Sequence, residues 1–534
     1  MKRLLALVML LSLAFGAMAA QATEVKMSGD VRIYANWWDQ YNFTGWNPTG
    51  TKTYDPLTIW ERFRLRTDFI ANEGLKFRLA IRVNDFSTTW GSGTFTVDNP
   101  AVQIQVYQAY LQFKWPSTNV EFTIGYQDLD LPMSVDWMGA NPVFGGTHTA
   151  AAVVNIPVSD NFSAIVGFSR FLSGDANGVN SGWDASGTTT QTASDLDGYF
   201  LILPITLDGF KMTPWAMIGV AGREAAYGTF VGNGPNASES LASYLLSAGA
   251  LTPRMVPGPN GTIIPATPSV TINGMKIPVM NYSIQHAQNA YWWIGSSFAV
   301  TALDPFKFYA DIMYGAGMQN DYKKNQRAGW FLDLGAEYTG WDFATPQVSF
   351  WYSSGEDKST NNGSERMPSV VNYWGPSNSF LFDTNQAFNF GYVPVNSVGS
   401  MGFVVALDKI SFVKDLTHRI GFSYARGTNS PRALRFANDT FGVGNYVQMG
   451  RDLTVNESVY GINFDSNYNI FENLALILET GWAHGNFQSS VWNAPRAPFV
   501  IMPNGLTYGF GHSFTHAARN GDTWKVTLGL KYAF

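Results

Sequence analysis

The chain has 534 residues, with 34 Lys and Arg against 40 Asp and Glu, a formal charge of -6. Charged residues are only 14%, aromatic residues reach 15%, glycines number 52, and there is no cysteine. The mildly acidic balance gives no electrostatic case for nucleic acid. The lack of cysteine excludes disulfide chemistry, and the glycine and aromatic content suits turns and strands better than a helical enzyme.

The chain opens with Met1, Lys2 and Arg3, an apolar run from Leu4 to Phe15, and small residues through Ala17-Met18-Ala19 and Ala20-Gln21-Ala22. This order of basic start, apolar core and small-residue exit is that of a secretory signal peptide over residues 1–22. Charged Glu24 and Lys26 follow at once. No later run is apolar over the length a membrane helix needs.

Alternation begins directly after this leader. Over residues 25–37, Val25, Met27, Val31, Ile33, Ala35 and Trp37 share one face, and Lys26, Ser28, Asp30, Arg32, Tyr34 and Asn36 share the other. A period of two predicts a strand with one apolar and one polar face. Further strands are expected at 57–70, 75–86, 102–115 and 120–127. The pattern continues at 149–157, 162–171, 197–206, 210–222, 289–300, 306–316, 327–338, 344–354, 397–408, 418–428, 456–467, 474–485 and 522–534. In the last of these, Trp524, Val526, Leu528, Leu530, Tyr532 and Phe534 alternate with Lys525, Thr527, Gly529, Lys531 and Ala533.

Connections alternate in length: 38–56 and 87–101 are long, whereas 71–74 and 116–119 are short. Apolar-out strands joined by alternately short and long connections predict an all-β fold, a transmembrane antiparallel β-barrel of 18 strands, with 16 as the alternative count. Short turns are expected at the periplasmic end and long loops outside, with residues 23–534 forming a single domain. The longest external loop runs over about 223–288, with a short helix expected at 237–248, and 356–396 is a second long loop.

Charges sit on the polar face of the second and third strands. Arg62, Arg64, Arg66 and Asp68 alternate with apolar residues, as do Lys76, Arg78 and Arg82 after the turn. An arginine facing lipid near the midplane costs roughly 2–4 kcal/mol, so these side chains are expected to face a wet lumen as a basic wall. If the hairpin pairs Asp68 with Lys76, Arg66 lies opposite Arg78 and Arg62 opposite Arg82. Acidic counter-charges are expected from Asp128, Asp130 and Asp136 in 128–147, the third external loop, if it folds inward.

The leader, the strand MSGDVRIYANW, the hairpin RFRLRTDFIANEGLKFRLAIRV, the segment QAYLQFKWPSTNVEFTIGYQDLD and the ending TWKVTLGLKYAF together resemble Gram-negative outer-membrane porins. Within that group the chain looks most similar to porin-like proteins of sulfate-reducing and related bacteria. The resemblance implies a homotrimer of hydrophilic pores in the bacterial outer membrane, among lipid and lipopolysaccharide. It implies that the third external loop constricts each pore, with Arg62, Arg64, Arg66, Arg78 and Arg82 matching the basic wall and Asp128, Asp130 and Asp136 the acidic side. DLDLPMSVD departs from the compact acidic motif of the best-known porin loop. The terminal Phe534 matches the signal read by the outer-membrane assembly machinery.

The expected function is therefore passive diffusion of small hydrophilic solutes, favouring anions, with a substrate-specific channel for organic anions or sugars as its variant. A loop-sealed structural barrel and an outer-membrane enzyme are the readings of another class. Neither a GxSxG elbow nor a phosphate loop occurs, and no serine is singled out as a nucleophile. His512 and His516 lie four apart in a glycine-rich context that is not helical, so no zinc is expected. Gly355-Glu356-Asp357 and Asn438-Asp439 could hold calcium but lack the twelve-residue loop pattern. No cofactor is expected.

Overall fold

The computed structural model of the chain describes residues 24–40, 43–45, 57–83, 88–91, 95–98, 102–172, 196–221, 255–257, 263–265, 269–272, 275–278, 289–318, 326–359, 362, 364–370, 372, 374–382, 388, 395–435, 449–492, 500–501, 507–508 and 520–534. The expected leader at 1–22, the expected helix at 237–248, and His286, His512 and His516 lie outside the described residues.

Alternating side chains build one continuous antiparallel sheet. Its first half comprises β1 (Glu24–Asp39), β2 (Leu57–Asn72), β3 (Leu75–Val83), β4 (Ile104–Lys114), β5 (Glu121–Asp128), β6 (His148–Ser159), β7 (Phe162–Leu172), β8 (Leu196–Ile202) and β9 (Phe210–Ala221). The second half comprises β10 (Asn289–Val300), β11 (Phe306–Met318), β12 (Gln326–Tyr338), β13 (Thr345–Ser353), β14 (Ser400–Val413), β15 (Leu416–Gly427), β16 (Ser458–Phe471), β17 (Leu474–Asn486) and β18 (Gly521–Ala533). β3 resumes at Thr88–Thr89, which pairs with β2, and β8 resumes at Ile205–Leu207, which pairs with β7 and β9. The gap in β8 falls at Pro204, which has no N–H to give to the ladder. β1 pairs with β18 from Asp30 opposite Ala533 to Asp39 opposite Trp524, so the 18 strands close on themselves.

The sheet is apolar outside and mixed inside. On β18, Trp524, Val526, Leu528, Leu530 and Tyr532 are exposed, while Thr523, Lys525 and Thr527 between them are buried. This is the inverse of a soluble sandwich, and an apolar exterior on a closed barrel is a surface for lipid. Among the described residues no helix is long and apolar enough to cross a membrane. Adjacent Trp292 and Trp293 show the same division. Trp292 is exposed and lies 5.3 Å from the Tyr314 ring, whereas Trp293 is buried and donates its Nε1–H to Pro368 O at 2.7 Å.

Connections at the end carrying both barrel termini are short; those at the other end are long. Within the described part of the 223–288 excursion there are two small antiparallel ribbons, Met255–Pro257 with Ile263–Pro265 and Ser269–Ile272 with Met275–Pro278.

One expected register is corrected. Asp68 lies opposite Arg78, Arg64 opposite Arg82 and Ile70 opposite Lys76, two residues away from the expected pairing. The turn is tighter, centred on Glu73-Gly74, and an irregularity between Ile70 and Asn72 absorbs the extra residue. The Asn72 side chain accepts the Gly74 N–H at 2.9 Å, an Asx-type closure. Because the shift is even, every side chain keeps its face.

The seam between β1 and β18 is finished by Phe534. Its N–H donates to Gly29 O at 3.1 Å, and Gly29 N–H donates to Phe534 O at 2.8 Å. A Cβ on Gly29 would collide with the Arg64 carbonyl oxygen on β2 and stand 2.7 Å from Phe534 Cζ. Gly29→Val should therefore strain the β1–β2 ladder, push the terminal ring aside and weaken closure by about 1–3 kcal/mol. Semi-native gel electrophoresis will show this as a lower temperature for loss of the fast-migrating folded band; an unchanged temperature would mean that the close packing at Gly29 is not needed.

Candidate functional site

The lumen is divided into a filled half and a polar half. Two external loops fold inward and pack on an inner-wall cluster that runs from β8 to β17. The first is the 129–147 loop between β5 and β6. It carries Leu131, Val143 and Phe144 into this buried apolar cluster with Phe200, Trp215, Tyr291, Trp293, Met313, Phe331 and Trp351 from the inner wall. The Trp137 ring lies 6.1 Å from that of Tyr309 on β11, nearly perpendicular. The second is the 354–399 loop between β13 and β14, which adds Met367, Val370, Trp374, Leu381 and Phe382. The loops bind each other as well: Val370 N–H donates to Val143 O and Ser377 N–H to Trp137 O, each at 2.7 Å. The second loop reaches β1, where Phe388 stacks on Tyr34 at 4.5 Å.

The basic residues expected from the sequence occupy the polar half. Arg32 on β1 faces Arg62 on β2 and Lys531 on β18, and Arg64 faces Arg82 on β3. Like charges directly opposite one another are destabilising in a sheet, so something must offset them. Asp30 does so for one row: its Oδ2 receives Arg32 Nε at 3.0 Å and Arg62 Nη2 at 2.8 Å. Asp68 holds Arg78 through two parallel bonds of 2.5 and 2.6 Å, the fork geometry that makes such pairs strong. Tyr107 lies beneath the Arg64 and Arg82 guanidinium groups at 5.4 and 5.9 Å, and Tyr110 beneath Arg78 at 5.6 Å; aromatic faces stabilise cations without cancelling their charge. Arg66 faces Ala80, and Lys76 sits near the short-turn end opposite Ile70.

The three loop acids are placed differently from expectation. Asp128 pairs with His148 Nε2 at 2.5 Å and accepts from Gln108 Nε2 at 2.5 Å. Asp130 accepts the Gly146 N–H at 2.5 Å and so folds the loop on itself. Asp136 is exposed on the loop. None forms an ion pair with an arginine among the described residues. The physical reason is that the loop runs away from β2 and β3 to bury its apolar residues on the far wall. The arginines' counter-charges come instead from Asp30 and Asp68 on the barrel itself.

Sequence reasoning placed Asp30 and Arg32 on the inner face without giving them a part in the site. It also missed an acidic stretch on β14–β17. Asp408, Asp465 and Glu479, with Arg419 and Lys531, line a cavity of about 640 Å³ that opens at the short-turn end. Arg419 binds Asp408 at 2.9 Å and donates to Ser377 O of the second loop at 2.7 Å, so that loop roofs the cavity. The available signal was the recurrence of acids at inner-face positions of neighbouring strands.

Above the filled half, charges are buried beneath the outer mouth. Arg366 and Arg451 both bind Asp452, each at 2.8 Å, and all three side chains are almost wholly buried. Nearby, Glu356 accepts from Ser364 Oγ and its backbone carbonyl takes the Ser430 N–H at 2.7 Å. Burial pushes the Glu356 carboxyl up to about 7, against the opposing pull of Arg366, the Ser364 hydroxyl and Arg327. Glu356 is thus part of a buried anchor, whereas Asp357 beside it is exposed. Among the described residues no group of three or more acids or histidines is arranged to hold a metal ion.

No family model matches the chain, and no curated protein matches it. Among solved structures it is similar to OprD of Pseudomonas aeruginosa, at 9% identity and TM-score 0.46, covering 95% of this chain and 95% of that one. OccAB4 of Acinetobacter baumannii matches at 10% identity and TM-score 0.46, covering 96% and 99%. The outer membrane channel DcaP of Acinetobacter baumannii matches at 11% and 0.38, covering 96% and 97%. Likenesses this distant establish neither family nor function.

A carboxyl held above its ordinary value stabilises the folded loop fully below about pH 4.5, and that contribution is lost as pH rises through about 7. For Glu356 the difference corresponds to about 3 kcal/mol of local stability. Hydrogen-exchange protection at the Ser430 amide, corrected for intrinsic exchange, should fall between tenfold and about a hundredfold from pH 5 to pH 8. Glu356→Gln should make the profile flat; an equal fall in the variant would remove Glu356 as the cause.

Proposed function

We propose that the chain is a passive diffusion channel of the bacterial outer membrane for small hydrophilic solutes, with a preference for anions. The observation that carries this is the division of the lumen. Apolar loop residues fill one half, whereas Arg32, Arg62, Arg64, Arg66, Arg78, Arg82 and Lys531 occupy the inner face of the other. A row of fixed positive charges along a narrow wet passage raises the local concentration of anions whatever the net charge of the whole chain. Asp30 and Asp68 neutralise only part of that row. Tyr107 beneath Arg64 supports that cation without cancelling its charge.

The variant that fits this wall is a channel selective for small organic anions, since several guanidinium groups at successive levels suit carboxylates better than uncharged sugars. In the same reading residues 1–22 are removed on export, Phe534 is read by the assembly machinery, and the barrel works as a homotrimer among lipid and lipopolysaccharide. These last parts, and the kinship with porin-like proteins of sulfate-reducing bacteria, rest on the sequence resemblance alone.

Single-channel recording in planar bilayers under a salt gradient tests the proposal. Stepwise currents whose reversal potential reports anion preference are expected. Removing one wall charge from a wet passage changes the local field by about 1 kcal/mol. Arg64→Ala and Arg66→Ala should therefore each lower the anion-to-cation permeability ratio roughly fivefold or less. Absence of current from folded barrels would replace this reading with a loop-sealed structural barrel or an enzyme.

A further inference from the structure

The two inward loops are fastened to the wall at one place. Asp311 on β11 and Asp333 on β12 stand directly opposite each other, and both are fully buried. Ser134 of the first loop donates its N–H to Asp311 Oδ1 at 3.0 Å, and its hydroxyl donates to Asp311 Oδ2. Trp374 of the second loop donates its Nε1–H to Asp333 Oδ2 at 2.8 Å. The same Trp374 forms a backbone bridge with Gly139 of the first loop. Each loop thus sends a donor to one member of the same acid pair.

Among the described residues no cation forms an ion pair with either acid. Facing it from β10 is Ser297, and from β13 Trp351, neither of which is charged. Along β11 and β12 toward the short turns, Lys307 is bound to Glu337, which also takes the Tyr309 hydroxyl. Toward the mouth, Arg327, Glu356 and Arg366 belong to the buried group above, where Arg366 binds Asp452. On the first loop, Asp130 binds Gly146, and Asp136 is exposed. Two carboxylates on directly opposed residues, both out of water and without a cation, cannot both be ionised.

We infer that Asp311 and Asp333 share one proton, and that this shared proton positions both loops and so sets the width of the passage. Loss of the proton leaves two like charges in a dry place. The loops must then lift to admit water or a counter-ion. This rests on the proposed channel function only for its consequence to permeation; the latch itself is a property of the fold.

Two readouts separate the claims: single-channel current, and hydrogen-exchange protection of the Ser134 amide corrected for intrinsic exchange. In the native protein the ratio of lifted to seated loops should rise about tenfold per pH unit once the pair begins to lose its proton. This will appear as wider or noisier currents and as falling Ser134 protection. In Asp333→Asn the amide oxygen accepts from Trp374 and the amide N–H donates to Asp311, so the latch has no proton to lose and both profiles should be flat. Asp311→Asn provides the same test through the other partner if the first variant does not fold. A flat native profile, or a slope unchanged in a folded asparagine variant, overturns the inference. Absence of current together with a pH-dependent Ser134 amide, abolished by Asp333→Asn, would refute the channel and leave the latch standing.

Discussion

Lipid offers no hydrogen bonds, and the architecture follows from that constraint. Every backbone N–H and C=O at membrane depth must find its partner within the protein, which a sheet achieves only by closing. β1 therefore has to meet β18, and the side chains must alternate between a surface compatible with lipid and an interior that is not. The mutual backbone bonds of Gly29 and Phe534 belong to the same requirement, because they continue the ladder to the last residue of the seam.

Closure alone would leave a wide ring. What narrows it is ordinary hydrophobic packing, turned to the inside. Leu131, Val143 and Phe144 from one loop and Met367, Val370 and Trp374 from the other join Trp293, Phe331 and Trp351 in one buried cluster. Because this cluster draws its wall residues from β8 to β17, the arginines on β1–β3 are left along the unfilled side. The electrostatic character of the passage is therefore a consequence of where the apolar loops settle. The arginines' own proximity to one another is tolerated because Asp30 bridges two of them and Tyr107 and Tyr110 support three others.

The wall was legible in the sequence because its rule is local. Alternation between neighbours identified the strands, and the cost of an arginine in lipid assigned Arg62, Arg64, Arg66, Arg78 and Arg82 to the inner face. The hairpin register was missed by two residues because an even shift keeps every side chain on its face and leaves the alternation unchanged. The loop acids were misplaced for a different reason. Asp128, Asp130 and Asp136 look like counter-charges in a linear reading, but the path of their loop is decided by Leu131, Val143 and Phe144 seeking partners nearly two hundred residues away. Asp311 and Asp333 were overlooked because each is an unremarkable inner-face position of its own strand; their significance arises only when strands are paired.

The two kinds of cohesion in this molecule need not fail together. The barrel wall is held by a continuous ladder and by surrounding lipid, whereas the loop core is a separate apolar cluster with its own exposure to water at the mouth. Damage to that cluster need not destroy the protein. It would leave an intact ring with its filling loosened.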